Sequence, residues 1–484
     1  MELVHSVRKP AVKKDEAFIV GCYENGKFDA AVSELLEKEG INREVLKTFS
    51  FKGKIGDVAA VPGSKGHLFI FTGLGKKSEL NREAVRKAIG VAIKEAKTKK
   101  VKRVAAVMFD FGKKSDGFAA AFAEGILLSA YSFEKYKSEK KEIEAVTVYG
   151  AKEFKEEFSY GKVLAEAANF TRDIVNEPGN VVTPETLAEI AKDLASEYGF
   201  KCKIFKEKDL EKKKMIGILT VGKGSKNPPR FIHLTYKPEN PVKKFVLVGK
   251  GVTFDSGGLN IKPEQFMKKM KMDKAGACAV LGIMKAVGEL KPDVEVHALI
   301  PAVENMPDGK AYRPDDILVY KNGKSVEIHS TDAEGRLILA DALIYGSDLN
   351  PDIMVDMATL TGACVVALGH YTSGLFTADD RFAQTLLSLS QESGEKMWRL
   401  PLDEDLEEEI KGTQSDIQNV GKSRYGGAIT AALFLKNFVG ENVKTWAHID
   451  IAGPAFVEKD WKYYGYGATG QPVRTLAELI KDLK

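Results

Sequence analysis

Along the whole 484-residue chain, short β-branched and aromatic runs alternate with segments of helical periodicity. The runs are AFIVG (17–21), HLFIFTG (67–73), RVAAVMF (103–109), EAVTVYG (144–150), FIHLTY (231–236), FVLVG (245–249), VEVHALI (294–300), IMVDMATL (353–360) and AHIDIAG (447–453). Several are apolar nearly throughout, as strands covered on both faces are. Between them, FDAAVSELLEKEG (28–40) places Phe28, Val32, Leu35 and Leu36 on one helix face. AGACAVLGIMKAVGEL (275–290), rich in small residues, reads as a buried helix. The alternation predicts an α/β fold with largely parallel sheets. At roughly 100–200 residues per domain, the length predicts two or three domains.

A boundary is expected near 155–175. The charged stretch KEFKEEFSYGK (152–162) leads into a helical run, and Pro178-Gly179 and Thr183-Pro184 then break the chain. Thr183 reads as the N-cap of the next helix. The expected domains are therefore 1–160 and 161–484, and every carboxylate-rich, glycine-rich segment falls in the second.

Composition removes several function classes. Lys+Arg 72 against Asp+Glu 68 leaves a net charge of +4, which gives no support to a polybasic nucleic-acid binder. No apolar run is long enough for a spanning helix, and MELVHSVRKPAVKKDE lacks the apolar core of a secretory signal. Cys22, Cys202, Cys278 and Cys364 lie far apart, which predicts a reducing compartment and no cysteine-rich zinc site. The expectation is a soluble, cytoplasmic protein with no membrane partner.

Three segments carry chemistry. In VLVGKGVTFDSGGLNIKP (246–263), Lys250 and Asp255 follow a strand in a glycine-rich loop, with Lys262 beyond. Polar groups at the carboxyl ends of buried strands are where open α/β sheets place their sites. Alone, Asp255 reads equally well as a turn residue bonding its own backbone. In MKKMKMDKAGACAV (267–280), Asp273 stands directly before a small-residue helix, where an N-cap is the commonest role. In EIHSTDAEGRLILADAL (327–343), Asp332 and Glu334 are two apart in a stretch read as extended, so both can face one side. Gly335 there permits a sharp turn, and Leu337, Ala340 and Ile344 share a helix face. Helix-dipole capping also explains two carboxylates at a helix start.

Together the segments point further. Asp255, Asp273, Asp332 and Glu334 each lie where a strand hands over to a helix, so all could meet at one end of one sheet. Four unpaired carboxylates would repel and destabilise the fold. Two divalent cations would cancel their formal charge, and oxygen-rich ligation suits Zn²⁺, Mn²⁺ or Mg²⁺. Such a pair activates water and polarises a carbonyl, with Lys250, Lys262 and Arg336 supplying positive charge. Other chemistries find less support. There is no H-E-x-x-H and no G-x-S-x-G. GYGATG (465–470) matches G-x-G-x-x-G, but the 14 residues after it cannot complete a nucleotide-binding βαβ unit. His329 and His448 read as core or supporting groups rather than ligands.

STDAEGRLILADAL (330–343) closely resembles the N-T-D-A-E-G-R-L signature of the leucyl (cytosol) aminopeptidase family. The resemblance extends through VGKGVTFDSGGLNIKP, MKMDKAGACAVLG, VENMPDGKAYRPDDI, DMATLTGA and AHIDIAGPA, and upstream through RDIVNEPGNVVTP and VGKGSKNPP. It is firm over about residues 165–484, with the first domain more divergent.

The resemblance implies a macro-like N-terminal α/β domain followed by a mixed-sheet α/β/α metallopeptidase domain, assembled as a homohexamer. It implies release of N-terminal residues, with a Leu-type preference, from peptides with a free amine. One metal would be held by Asp255, Asp332 and Glu334, the other by Lys250, Asp255, Asp273 and Glu334. The ions would be Zn²⁺ or Mn²⁺, with Mg²⁺ and Co²⁺ as further candidates. Lys262 would stabilise the oxyanion, and Arg336 would hold a bicarbonate acting as general base. Met270, Thr359 and Gly362 would line the first side-chain pocket, and the Leu360 carbonyl would meet the substrate. Ser330 stands where the family commonly has Asn, Asn260 where it has Ser, and Lys274 where it has Met. Two alternatives share the residue set: a Cys-Gly-type dipeptidase, and a DNA-binding accessory factor.

Overall fold

Each apolar run named above is a strand in the structure, a computed structural model. It describes residues 1–11, 13–24, 28, 30–64, 66–111, 116–140 and 142–484, apart from the side chains at 30 and 31. The chain divides into two compact units. The first comprises Met1–Asn169 with the short segments Glu392–Gly394 and Val457–Tyr466; the second comprises Phe170–Gln391, Glu395–Phe456 and Gly467–Lys484.

The first unit is built on a six-stranded sheet, in the order Glu2–Ser6, Ala145–Tyr149, Arg103–Val107, Glu16–Tyr23, Leu68–Gly75 and Val58–Pro62. All neighbours are parallel except the last pair. Val32 and Leu36 of helix Ala30–Lys38 are buried against it with Phe18, Phe69 and Phe71. Helix Arg82–Thr98 starts at Asn81, whose side chain accepts from Ala84 N. It packs closely on helix Phe118–Ala130: a Cβ on Gly125 would stand 2.4 Å from Ile89 Cγ2, so only glycine fits there.

The second unit holds a nine-stranded mixed sheet. Its order is Met397–Arg399, Ser373–Phe376, Thr445–Asp450, Ile353–Ala358, Lys243–Gly249, Val294–Asn305, Arg230–Tyr236, Lys201–Phe205, with Gly251–Asp255 paired to the far half of Val294–Asn305. The central pairs are parallel, and antiparallel pairs appear towards each side. The expectation of largely parallel sheets therefore holds, with antiparallel pairs between Ser373–Phe376 and Thr445–Asp450 and on the Arg230–Tyr236 side. The outermost pair, Ser373–Phe376 with Met397–Arg399, is parallel again. Parallel neighbours need helical crossovers, which cover both faces of the middle strands; the outer antiparallel pairs do not. Helix Ala275–Leu290 is buried almost throughout, as its small residues suggested. It approaches the sheet so closely that a Cβ on Gly276 would meet Met357 O at 2.2 Å, and one on Gly249 would meet Gly276 O at 2.5 Å. Thr183 caps helix Pro184–Tyr198 through Thr186 N, as the sequence predicts. Among the described residues, no helix is long and apolar enough to cross a membrane.

Candidate metal centre

Segments from two sheets meet here. Lys250 and Thr359 follow the central strands Lys243–Gly249 and Ile353–Ala358, and Asp255 ends Gly251–Asp255. Asp332 and Glu334 follow Ser325–Glu327 of a separate three-stranded sheet, not the one sheet expected. Strand Gly251–Asp255 delivers Asp255 at its last position, so this carboxylate is fixed by the β ladder rather than by a loop as expected. Asn305, the last residue of its partner strand, donates from Nδ2 to Asp255 Oδ1 at 2.8 Å, and Gly257 N donates to the same oxygen at 2.8 Å. Gly257 and Gly258 turn the chain with φ of +87° and +66°, which favours glycine at both positions.

Asp273 is not an N-cap. It sits inside the 3₁₀ turn Met270–Lys274, and helix Ala275–Leu290 begins without any side-chain cap. Its Oδ1 instead accepts from Lys250 Nζ at 2.8 Å and from Thr359 Oγ1 at 2.7 Å. Asp332 and Glu334 also differ from expectation. Asp332 lies in a turn, and Glu334 is already the first residue of helix Glu334–Ser347. The helix start, not an extended strand, turns Glu334 inward. Gly335 is within that helix, and its missing side chain has a different use from the sharp turn anticipated. A Cβ there would lie 2.5 Å from Lys250 Cε, so glycine lets the lysine reach Glu334.

The result is a buried charge cluster. Ligand-capable oxygens of Asp255, Asp273 and Glu334 lie within 4.8 Å of one another. Lys250 Nζ stands 2.8 Å from Asp273 Oδ1, 2.9 Å from Glu334 Oε1 and 2.9 Å from the Thr359 carbonyl. Lys262 Nζ stands 2.8 Å from Asp255 Oδ2 and 2.6 Å from Asp332 Oδ1. Two ammoniums thus face four carboxylates, leaving a formal surplus of negative charge.

Burial, then repulsion from Glu334 and Asp273, pushes the Asp255 carboxyl up to about 8. Burial chiefly pushes Asp273 up to about 6, against the pull of Lys250. Burial also raises Asp332, partly offset by Lys262. Glu334 moves the other way: burial would raise it, but Lys250 and Lys262 outweigh that and hold it low. Burial alone would lower both lysines, but the surrounding carboxylates hold Lys250 and Lys262 above the ordinary lysine range.

The remaining anticipated residues are spread around this cluster. Arg336 is buried, donates from Nη1 to the Asn419 carbonyl at 2.7 Å, and keeps a buried Nε without a hydrogen-bond partner. It makes no ion pair with the cluster. Thr359 is bonded directly to Asp273, Met270 opens the 3₁₀ turn that carries Asp273, Leu360 N donates to Asp450, and Gly362 begins helix Gly362–Leu368. Gly362 is exposed, and a Cβ there would meet nothing within 4 Å. His448 and His329 bond Asp356 and Glu327, in keeping with supporting roles.

Several residues not singled out in the sequence shape the centre. Asn305, besides holding Asp255, donates to the Thr331 carbonyl at 3.0 Å, and Tyr312 OH donates there at 2.7 Å. Asn419 Oδ1 accepts from His329 N and Ser330 N, its Nδ2 donates to Ser330 O, and its carbonyl takes Arg336. Asp450 gathers Leu360 N, Thr361 Oγ1 and Ala452 N, shaping the 359–362 loop. Their signal was positional only: Asn305 and Asp450 end strands and Asn419 directly follows one, while Tyr312 lies in the loop after Val294–Asn305. Asn260 has a visible purpose, exchanging hydrogen bonds of 2.8 Å with Thr331 and so tying the Asp255 loop to the Asp332 loop.

The residues fit divalent cations. Asp273 Oδ2 and Glu334 Oε2 are buried oxygens with no hydrogen-bond partner, aimed into a cluster with surplus negative charge. Buried carboxylates are ordinarily paired or bound to metal.

Comparison with known proteins agrees with that fit. The model for the cytosol aminopeptidase family catalytic domain matches residues 169–477, and the model for that family's N-terminal domain matches 19–140. A probable cytosol aminopeptidase of Persephonella marina is 51% identical over 465 residues, covering 94% of this chain and 91% of its own length. One of Aquifex aeolicus is 51% identical over 446 residues, with 90% of each chain covered. Among solved structures, a mutant of tomato leucine aminopeptidase superposes with a TM-score of 0.89 at 35% identity, over 100% of this chain and 97% of that one. The bottromycin maturation enzyme BotP in complex with Mn superposes with a TM-score of 0.87 at 34% identity, over 97% and 99%.

Proposed function

Because the chain belongs to the cytosol aminopeptidase family and is a metal-dependent aminopeptidase, we propose that its buried carboxylate cluster is the metal centre that removes N-terminal residues from peptides. The observation that carries this is the meeting of Asp255, Asp273 and Glu334 oxygens within 4.8 Å, two of their buried oxygens being unbonded. Asp255, Asp332 and Glu334 would hold one cation, and Lys250, Asp255, Asp273 and Glu334 the other. Cations bound there supply Lewis acidity, making water a better nucleophile and the scissile carbonyl a better electrophile.

The chain's own groups do the rest. Lys250 is an ammonium between Asp273 and Glu334, so it must give up a proton to become a ligand, which a neighbouring dication favours. Lys262 lies at the rim of the cluster and is more exposed than Lys250. Its ammonium is placed to meet the carbonyl oxygen as negative charge develops, in the manner of an oxyanion donor. The unbonded Nε of Arg336 is a buried donor suited to a small anion, and bicarbonate acting as general base is the anion proposed. The unblocked substrate amine would approach on the Asp273 side, which selects free N-termini. Met270, Thr359, Leu360 and Gly362 would border the first side chain.

The same reading takes Zn²⁺ or Mn²⁺ as the ions, the latter supported by the manganese complex of BotP. It places a homohexamer in the cytoplasm, supported by family membership and the relatives' names. The division into an N-terminal domain over 1–160 and a catalytic domain over 161–484 is supported by the two family matches. The test is hydrolysis of a panel of aminoacyl amides before and after removal of divalent ions. Activity should vanish on chelation and return with Mn²⁺ or Zn²⁺; full activity in stripped protein would overturn the reading.

A further inference from the structure

The turn carrying Asp273 is gripped from behind by two lysines of its own. Lys274 is fully buried, yet its Nζ lies 2.9 Å from the Glu177 carbonyl, 3.3 Å from that of Val175 and 2.7 Å from that of Lys271. Lys271 Nζ donates to the carbonyl of Asn176. The two ammoniums therefore take three consecutive carbonyls, 175 to 177, at the carboxyl end of the 22-residue helix Lys155–Asn176.

The physical logic is direct. The last four carbonyls of a helix lack intrahelical donors and carry the negative end of its dipole, so a cation there satisfies both. An ammonium has three donors, and Lys274 has three carbonyls around it. In a 3₁₀ turn, residues three apart lie on one side, which brings Lys271 and Lys274 to the same helix end. Asp273 precedes Lys274 in the chain, with its Oδ1 directed to Lys250 and Thr359.

We propose that Lys271 and Lys274 are positioning residues, clamping the Met270–Lys274 turn to the carboxyl end of helix Lys155–Asn176 so that the Asp273 carboxylate is held for the metal centre. This rests on Asp273 being a ligand. It assigns a purpose to Lys274, whose charge would otherwise be costly in so buried a place. A methionine there fills the volume but leaves the carbonyls without their donor.

The test uses the full-length protein stripped of metal, with Mn²⁺ alone as the probe. Lys274→Met, Lys271→Met and, as a control on the adjoining helix, Lys285→Met are compared by Mn²⁺ titration and by hydrogen exchange at amides 270–276. Groups that orient metal ligands are typically worth roughly 10–100-fold in affinity, so Lys274→Met should weaken the more weakly bound Mn²⁺ by about that factor. Exchange should quicken at 270–276 and not across the rest of the sheet. Lys271→Met should act in the same direction by less, and Lys285→Met should change neither. A folded Lys274→Met protein with unchanged Mn²⁺ affinity and unchanged exchange overturns the proposal. So does uniform destabilisation without a local change at the turn. If Lys274→Met does not fold, Lys271→Met decides by the same two readouts. Asp273→Asn separates this from the ligand assignment. If that variant still binds two Mn²⁺ ions, the assignment has failed, and the clamp stands or falls on the exchange at 270–276.

Discussion

Replacing Lys262 by alanine isolates its role, because its backbone is held independently of its side chain. Lys262 N donates to the Ser256 carbonyl at 2.9 Å, and Asn260 locks the same loop to Thr331. Lys262→Ala therefore removes an ammonium and leaves the loop in place. The lost group is the cation at 2.8 Å from Asp255 and 2.6 Å from Asp332, at the rim where a substrate carbonyl would arrive. One preorganised oxyanion donor is worth roughly 10²–10³ in kcat, or about 2.7–4 kcal/mol. Because the interaction grows as the carbonyl becomes tetrahedral, KM should change little. Lys250→Ala should behave differently. Its side chain lies deeper, between Asp273 and Glu334, so its loss should weaken metal retention and make activity depend on added metal. The assay is kcat and KM on a leucine amide, with bound metal measured after dialysis for both variants. A Lys262→Ala enzyme with near-parental kcat would refute the oxyanion role. Metal loss in Lys262→Ala with retention in Lys250→Ala would show that the two lysines are assigned the wrong way round.

Glu334→Gln and Asp332→Asn should each lower bound metal below two ions per chain by elemental analysis; unchanged stoichiometry would remove them from the ligand set. N-acetylation of a peptide substrate should abolish cleavage, and comparable rates with and without the acetyl group would point to an endopeptidase or amidase. Metal should stabilise the protein more at pH 8 than at pH 6. The raised carboxyls of Asp273 and Asp255 stabilise the metal-free fold when protonated, and that contribution is lost as pH climbs through about 6 and about 8. Metal binding needs both deprotonated, so the gain in Tm on loading with Mn²⁺ should grow across this window; a flat difference would contradict the pKa directions.

The strands and the chemistry were legible in different ways. Each apolar run announced a strand, because burial on both faces demands apolar side chains whatever the register. The ligand-bearing segments stood out because four carboxylates, with three cations close to them in sequence, were read at strand-to-helix junctions, and the order of the motifs carried the family resemblance. Local spacing did less well in detail. It read Asp273 as a cap, Asp255 as a loop residue, and Asp332 and Glu334 as one extended face. Only the packing showed a 3₁₀ turn, a strand end and a helix start. It also explained Gly335, whose missing Cβ admits a lysine from 85 positions earlier in the chain.

What the chain alone determined was therefore the class of fold and the inventory of the site, since both follow from residue types and their order. What tertiary structure decided was which residues outside that inventory hold it in place. Asn305, Asn419 and Asp450 act through hydrogen bonds to residues 50, 89 and 90 positions away, respectively. Lys274 finds its carbonyls 97 and 99 positions upstream. No periodicity encodes such partners. Parallel pairing brings the first three together, because it sets the ends of distant strands side by side: Asp255 beside Asn305, Glu327 beside Gln418 and Ala358 beside Asp450; Lys274 is supplied instead by a helix end.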